Sequence, residues 1–252
     1  ATAQDQPTSG TVRVLGHNPF EHAETIEQMC FLRDNQRYPD DYRLKHAIRA
    51  ASFFYPNWSQ ETAERLVEQF RIPEKPIVKK YSRGQLSALG IVLGLASRSP
   101  ITFFDEPYLG LDATARSIFY DELLHDYAAH PRTIVLSTHL IDEMDRLLER
   151  VVILDHGRVV RHADVDELRG DAYQISGRAA GIEAFLKDRP TLSRRSVGGL
   201  APAVVAGALS EEDRAAAVSL QDLVAAYGVG EVGGADPRST DTPAESREGA
   251  RS

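Results

Sequence analysis

Two adjacent carboxylates, Asp105 and Glu106, follow the apolar run at 101–104, which is set off by Pro100. So short a run of bulky residues predicts a strand buried on both faces, as in a parallel sheet. Open α/β sheets bind ligands beyond the carboxyl ends of their strands, where these acids fall. Asp105 suits Mg²⁺, a hard cation that takes oxygen ligands beside substrate phosphates. Glu106 can polarise an attacking water as a general base, an effect worth roughly 10²–10⁴-fold. Taken alone, an Asp-Glu pair after a strand is more often a plain acidic turn.

A second stretch begins at Ser82. Leu86, Leu89, Val92, Leu93 and Ala96 recur at helical spacing, and Ser82 stands at the N-cap. Gly84 and Gln85 open this helix, so unpaired N–H groups and the positive dipole end are offered to an anion; an ordinary capped core helix reads the same way. Gly90 and Gly94, one turn apart, predict a close approach of the helix to the sheet. Residues 133–137 predict another buried strand, with His139 just past its end. A lone histidine is usually structural, but this one falls at the edge already marked by the two acids. Gly110 and Asp112 predict a tight turn before a helix at 113–129, and Asp112 reads as that helix's N-cap.

In chain order these pieces are Ser82-Arg83-Gly84-Gln85, a strand ending Asp105-Glu106-Pro107, Leu109-Gly110-Leu111-Asp112 and Ser137-Thr138-His139. The series resembles the signature motif, Walker B, D-loop and H-loop of ABC-transporter ATP-binding subunits. The likeness spans roughly residues 8–168, about two thirds of the chain. It implies a P-loop NTPase-like (RecA-like) α/β fold, a mostly parallel sheet core with an inserted helical subdomain at about 38–98. It implies Mg²⁺-dependent ATP hydrolysis at a head-to-tail dimer interface. Asp105, Glu106 and His139 would serve the chain's own ATP. Ser82, Arg83, Gly84 and Gln85 would contact the partner's, with Asp112 in the adjoining D-loop. The family places a Gln after an early strand, ligating Mg²⁺ and linking core to helical subdomain. Gln36 is assigned here, although direct alignment falls on Asp34. Two departures stand out. Arg83 replaces the first of the signature's two glycines, while Gly84 keeps the second. No G-x-x-x-x-G-K-[ST] occurs in the 252 residues, so the phosphate-cradling loop is missing. The expectation is that the sequence begins downstream of that loop, and that this chain alone hydrolyses no ATP.

The elements that must position these groups follow from the rest of the chain. A 42% hydrophobic content supports one sizeable domain with an appendage. The net charge of −8 argues against nucleic acid as the main partner, because phosphate backbones need a basic face. The single cysteine, Cys30, predicts a core thiol. No apolar stretch approaches the roughly 18 residues of a membrane span. Residues 11–16 alternate like a strand and 26–32 predict a second. Helices are expected at 42–54 and 59–70. Between them Phe53, Phe54, Tyr55 and Trp58 form an aromatic cluster, read first as subdomain core and otherwise as a surface for a membrane partner's coupling helix. Beyond His139 come an amphipathic helix at 140–150, a hairpin turning at Asp155-His156-Gly157, and a short helix at 164–168. The remaining histidines share no metal-ligand spacing.

The domain reading is therefore an ATP-binding domain at 1–171, an accessory region at 172–227 with a strand at 173–176 and helices at 182–187, 211–218 and 220–227, and a disordered tail at 228–252. The implied partners are transmembrane subunits and a second ATP-binding subunit, and the implied location is peripheral, on the cytoplasmic face of the membrane. The rival readings are a non-hydrolytic regulatory subunit and a soluble ABC-fold ATPase outside transport.

Overall fold

Three apolar segments pair in parallel: β1 (Met29–Leu32), β2 (Ile101–Asp105) and β3 (Thr133–Ser137), in the order β1-β2-β3. The computed structural model describes residues 2–20, 22–34, 36–139, 141–144, 147–187, 189–194, 202–207 and 216–228. Parallel neighbours need long crossovers, and helices supply them. A short helix, α1 (Ala23–Glu27), precedes β1. Between β1 and β2 lie α2 (Leu44–Phe54), α3 (Gln60–Gln69), a 3₁₀ turn at Val78–Lys80 and α4 (Arg83–Ser97). Between β2 and β3 runs α5 (Ala113–Ala129).

One face of this sheet is the core. Cys30, Leu32, Thr102 and Phe104 are buried on it. Gly94 is what lets α4 settle there: a Cβ at that position would lie 2.3 Å from Leu32 Cδ1 and 2.5 Å from Phe104 Cε1. Gly90 faces open space, so the close approach expected of both glycines rests on Gly94 alone. Phe119 of α5 meets Phe104 edge-on at 5.8 Å between ring centres. The Cys30 thiol is pushed up by burial, which outweighs its hydrogen bonds with Tyr55 and Ser97.

The opposite face corrects an expectation. Phe31, Phe103 and Val135 lie side by side across the three strands. Phe31 and Phe103 are half-buried and Val135 is 43% exposed, so the strands are not buried on both faces. An apolar run reports that a strand dislikes water, not which of its faces is covered. The N-terminal segment departs too. Among its described residues, 11–16 make no strand. Leu15 (φ 51°) and Gly16 (φ 84°) turn the chain so that Val14 pairs only with His17. The strand expected at 26–32 is shortened to Met29–Leu32, because Ala23–Glu27 coils into α1 behind the cap of His22. Phe53 and Phe54 are 77% and 74% exposed and so are not subdomain core.

The chain divides into two compact units, Ala1–His139 and Leu140–Ser252. The division falls upstream of the expected boundary at 171, and the second unit's own core gives the reason. It contains α6 (Ile141–Met144), β4 (Arg150–Asp155), β5 (Arg158–Asp164), α7 (Val165–Gly170), β6 (Ala172–Ile175), α8 (Ala179–Leu186), β7 (Thr191–Arg194), β8 (Ala203–Ala206), β9 (Ala216–Ala217) and α9 (Leu220–Gly228). Ile153 and Ala163 of the β4–β5 hairpin pack in one cluster with Leu168, Val204, Leu220 and Leu223, which joins the hairpin to the accessory region. The hairpin turns at His156 (φ 45°) and Gly157 (φ 76°), the paired positive φ of a tight two-residue connection. β6, β7, β8 and β9 form an antiparallel sheet in the order β7-β8-β6-β9, and neither β7 nor β8 was signalled by alternation. Of the helix expected at 140–150, the described part is helical only at Ile141–Met144, and Arg150 already starts β4. Residues 211–215 of another expected helix lie outside the described residues, and Ala216–Ala217 pairs as strand. The expected tail lies outside them from 229 onward.

The packing at α4 generates a test. Replacing Gly94 by Ala should lower the stability of the chain by about 1–3 kcal/mol, through overpacking against Leu32 and Phe104. Gly90→Ala should be neutral or should raise it by up to about 1 kcal/mol. Urea unfolding midpoints of the two variants should differ in that order; a reversed order contradicts the packing.

Candidate functional site

The register of β2 against β3 sets Asp105 opposite Ser137 at the carboxyl edge of the sheet. Ser137 Oγ donates to Asp105 Oδ1 at 2.6 Å. The same oxygen accepts from the Glu106 backbone N–H at 3.2 Å, and the Ser137 carbonyl lies 3.3 Å from that nitrogen. Glu106 itself is left-handed, with φ 47°. A non-glycine residue pays roughly 1–2 kcal/mol for that conformation. Its consequence is that the side chain leaves the line of β2 and reaches His139, whose Nδ1 is 2.8 Å from Glu106 Oε1. With an ionised carboxylate the shared proton sits on Nδ1, and the other ring nitrogen is left for a ligand.

Glu106 Oε2 is buried and has no hydrogen-bond partner among the described residues. Glu106 and Asp105 line a cavity of about 20 Å³ together with Asp34, Gln36, Leu86, Ser87 and Phe104. That volume holds about one water molecule. Gln36 is exposed on the loop after β1, and its N–H donates to the Arg33 carbonyl at 3.2 Å. Among the described residues no three His, Cys, Asp or Glu side chains converge as a metal cage. Mg²⁺ does not ask for one: it is held by one or two carboxylates with waters and substrate phosphates. Asp105, whose second oxygen is not engaged by Ser137, and Gln36 fit that donor set.

The head of α4 forms a second group. Ser82 Oγ accepts from the Gln85 N–H at 3.3 Å and Gln85 Oε1 accepts from the Ser82 N–H at 2.9 Å, a complete capping box. Ser82 and Arg83 are exposed. Asp112 caps α5 by accepting from the Ala115 N–H at 2.8 Å. Gly84 is needed inside the chain: a Cβ there would fall 2.3 Å from the Gly110 carbonyl oxygen. The turn at Gly110 (φ 80°) takes up that space. Ser87 Oγ donates to the Leu109 carbonyl at 2.6 Å and fastens the same turn to α4.

Two participants were missed in the sequence. Ser137 stood only as the first residue of the Ser137-Thr138-His139 run; its contacts with Asp105 and Glu106 follow from strand register, which no local pattern reports. Asp34 was noted only as an alternative to Gln36, and it pairs with Arg83, whose Nη2 lies 2.8 Å and Nε 3.3 Å from the two carboxylate oxygens.

A family model described as an AAA domain matches residues 25–145. The ABC transporter ATP-binding protein YtrB of Bacillus subtilis is 24% identical over 167 residues, covering 66% of this chain and 57% of its own length. The daunorubicin/doxorubicin resistance ATP-binding protein DrrA of Streptomyces peucetius is 26% identical, over 65% of this chain and 51% of its own. DrrA3 of Streptomyces coeruleorubidus is 30% identical, over 70% and 58%. A solved ATP-binding subunit of an ABC transporter superposes with a TM-score of 0.58 at 25% identity, covering 65% of this chain and 70% of that one. A dimeric ATP-binding cassette in a post-hydrolysis state, bound to ADP and phosphate, superposes with a TM-score of 0.53 at 20% identity, over 65% and 77%, a likeness of fold. The fold is thus the α/β fold of the P-loop NTPase class. Within that class the chain is a homologue of ABC transporter ATP-binding proteins. It spans about half the length of the curated relatives it matches.

Gly84→Ala should force the 109–111 turn off α4, with a loss of about 1–3 kcal/mol of stability. Amide exchange should quicken at 109–111 while β3 keeps its protection. A variant as stable as the parent, with an unmoved turn, would refute the assigned contact.

Proposed function

We propose that the chain is an ATP-binding subunit of an ABC-type transporter, working as one half of a head-to-tail pair. The observation that carries this is the joint placement of Asp105, Glu106 and His139 at one sheet edge, with Glu106 Oε2 buried and unsatisfied beside a water-sized cavity. In this reading Asp105 and Gln36 hold Mg²⁺, which when bound neutralises phosphate charge. Glu106 accepts the proton of the attacking water. His139 fixes the Glu106 carboxylate through Nδ1–H, and only as an imidazolium, a donor at both ring nitrogens, does it also donate to a phosphate oxygen. Ser82, Arg83, Gly84 and Gln85, at the exposed head of α4, meet the nucleotide of the partner ATP-binding subunit, and Asp112 caps the helix beside them.

The transmembrane partners are separate chains in this proposal. Among the described residues no helix is long and apolar enough to cross a membrane. Phe53 and Phe54, exposed at the end of α2, supply an apolar surface for a helix of such a partner, and Arg49 stacks on Phe53 at 5.7 Å. A peripheral position on the cytoplasmic face follows from that docking.

The test is an ATPase assay of the 252-residue chain alone and mixed with an intact homologous ATP-binding subunit. The chain alone should show no turnover, because its sequence holds no phosphate-cradling loop. The mixture should gain turnover that Ser82→Ala weakens. In the form that carries the loop, Glu106→Gln should abolish turnover and spare ATP binding. Robust Glu106-dependent hydrolysis by the isolated chain contradicts the shared site, and unchanged turnover in Glu106→Gln contradicts the base. Failure to co-purify with any membrane protein would favour a non-transport ATPase of the same fold.

A further inference from the structure

We propose that Arg83 and Asp34 form an ionic clasp, with Arg83 as a positioning residue that holds the loop carrying Gln36 against the head of α4. The functional part of this proposal rests on the reading that the loop serves the chain's own nucleotide and the head of α4 the partner's, so that the clasp joins two shared sites.

The geometry is specific. Arg83 presents two nitrogens to two oxygens, Nη2 to Oδ2 at 2.8 Å and Nε to Oδ1 at 3.3 Å, across 49 positions of sequence. Such a fork fixes direction as well as distance. Asp34 is only 19% exposed although its partner is 57% exposed, so the carboxylate is the anchored end. Nothing local to α4 accounts for a cation at its first position. The positive end of the helix dipole opposes it, and the first turn contains no acid. Asp34 supplies the missing negative charge from another element.

The clasp reaches the chemistry through the loop. The Gln36 N–H is bonded to the Arg33 carbonyl, which ties the residue before Asp34 to Gln36. Arg33 is braced in turn by its guanidinium over the Phe31 ring at 5.4 Å. Asp34 and Gln36 line the same small cavity as Asp105 and Glu106. Arg83 also abuts the turn that follows β2, its Cβ lying 3.1 Å from where a Cβ on Gly110 would stand. One side chain therefore touches the loop after β1 and the turn before α5. The residue that departs from the family's glycine is the one that links them.

Amide hydrogen exchange on the full chain tests the clasp without needing ATP. Arg83→Ala should speed exchange at Asp34 and Gln36 about fivefold, as expected for a well-aligned ion pair near the upper end of the surface range. Exchange in β2 should stay unchanged. Arg83→Asp and Asp34→Arg should each behave like Arg83→Ala, and the double charge reversal should restore protection. Arg83→Lys, which keeps the charge and loses the fork, should fall between. Unaltered exchange in Arg83→Ala, or a double reversal no better than its single variants, overturns the clasp. In the form that carries the phosphate-cradling loop, the same reversal should recover turnover lost in the single variants. A mixture in which even the unsubstituted chain yields no turnover would count against the proposed function, and the exchange data would still decide the clasp.

Discussion

Parallel pairing of β2 with β3 in the register Asp105↔Ser137 is the constraint on which the site depends. It does more than align two strand ends. Ser137 Oγ holds Asp105 from one side and the Glu106 N–H from the other, so a single hydroxyl sets the spacing of both carboxylates. A slip of one residue would turn every side chain of β3 to the opposite face and send that hydroxyl away from both acids. The core face enforces the register. Phe104, next to Asp105, is wedged between Gly94 of α4 and Phe119 of α5, so the apolar contact one residue upstream fixes where the two acids fall.

The chain bears strain at the residue that follows. Glu106 is left-handed without the freedom of glycine, and backbone held there must be over-determined by its surroundings. Its N–H is bound by Ser137 and its side chain by His139, two contacts that share one short segment of β3 and its exit. The left-handed turn is also what gives the two acids different partners. Asp105 continues the strand and stays with Ser137, while Glu106 swings toward His139 and leaves one oxygen buried and unpaired. An unpaired buried carboxylate oxygen costs stability, and such a cost is characteristic of a position kept for a ligand or a water.

Local signals were legible where one residue type has one physical use. Ser82 and Asp112 read as caps and are caps, because a short side-chain oxygen before a helical run has few other partners. The helix at 113–129 and the strand at 133–137 were legible within their own bounds. What stayed hidden is tertiary. Residues 11–16 alternate as a strand does, yet two positive-φ residues make them a turn. Phe53 and Phe54 are as apolar as any core pair and yet face water, because nothing in a sequence says which neighbours a helix end has. Of the site, the acids and His139 were visible as types at one sheet edge; the contacts of Ser137 and Asp34 were not, since each meets a partner from a distant element.

The two positions after Ser82 show why a motif cannot be read as a string. Position 84 must be glycine in this fold, since any Cβ would strike the Gly110 carbonyl. Position 83 has no such restriction, because its side chain points out from the first turn into space that Asp34 borders. The two glycines of the family's signature are therefore unequal here: one answers to the backbone that crosses it, the other only to whatever approaches from outside. An arginine at the second kind of position keeps the packing of α4 intact and changes what the helix head can hold. The departure from the motif is thus confined to the surface where a nucleotide or a loop would compete for that guanidinium, and it leaves the turn at Gly110 and the cap at Ser82 as they are.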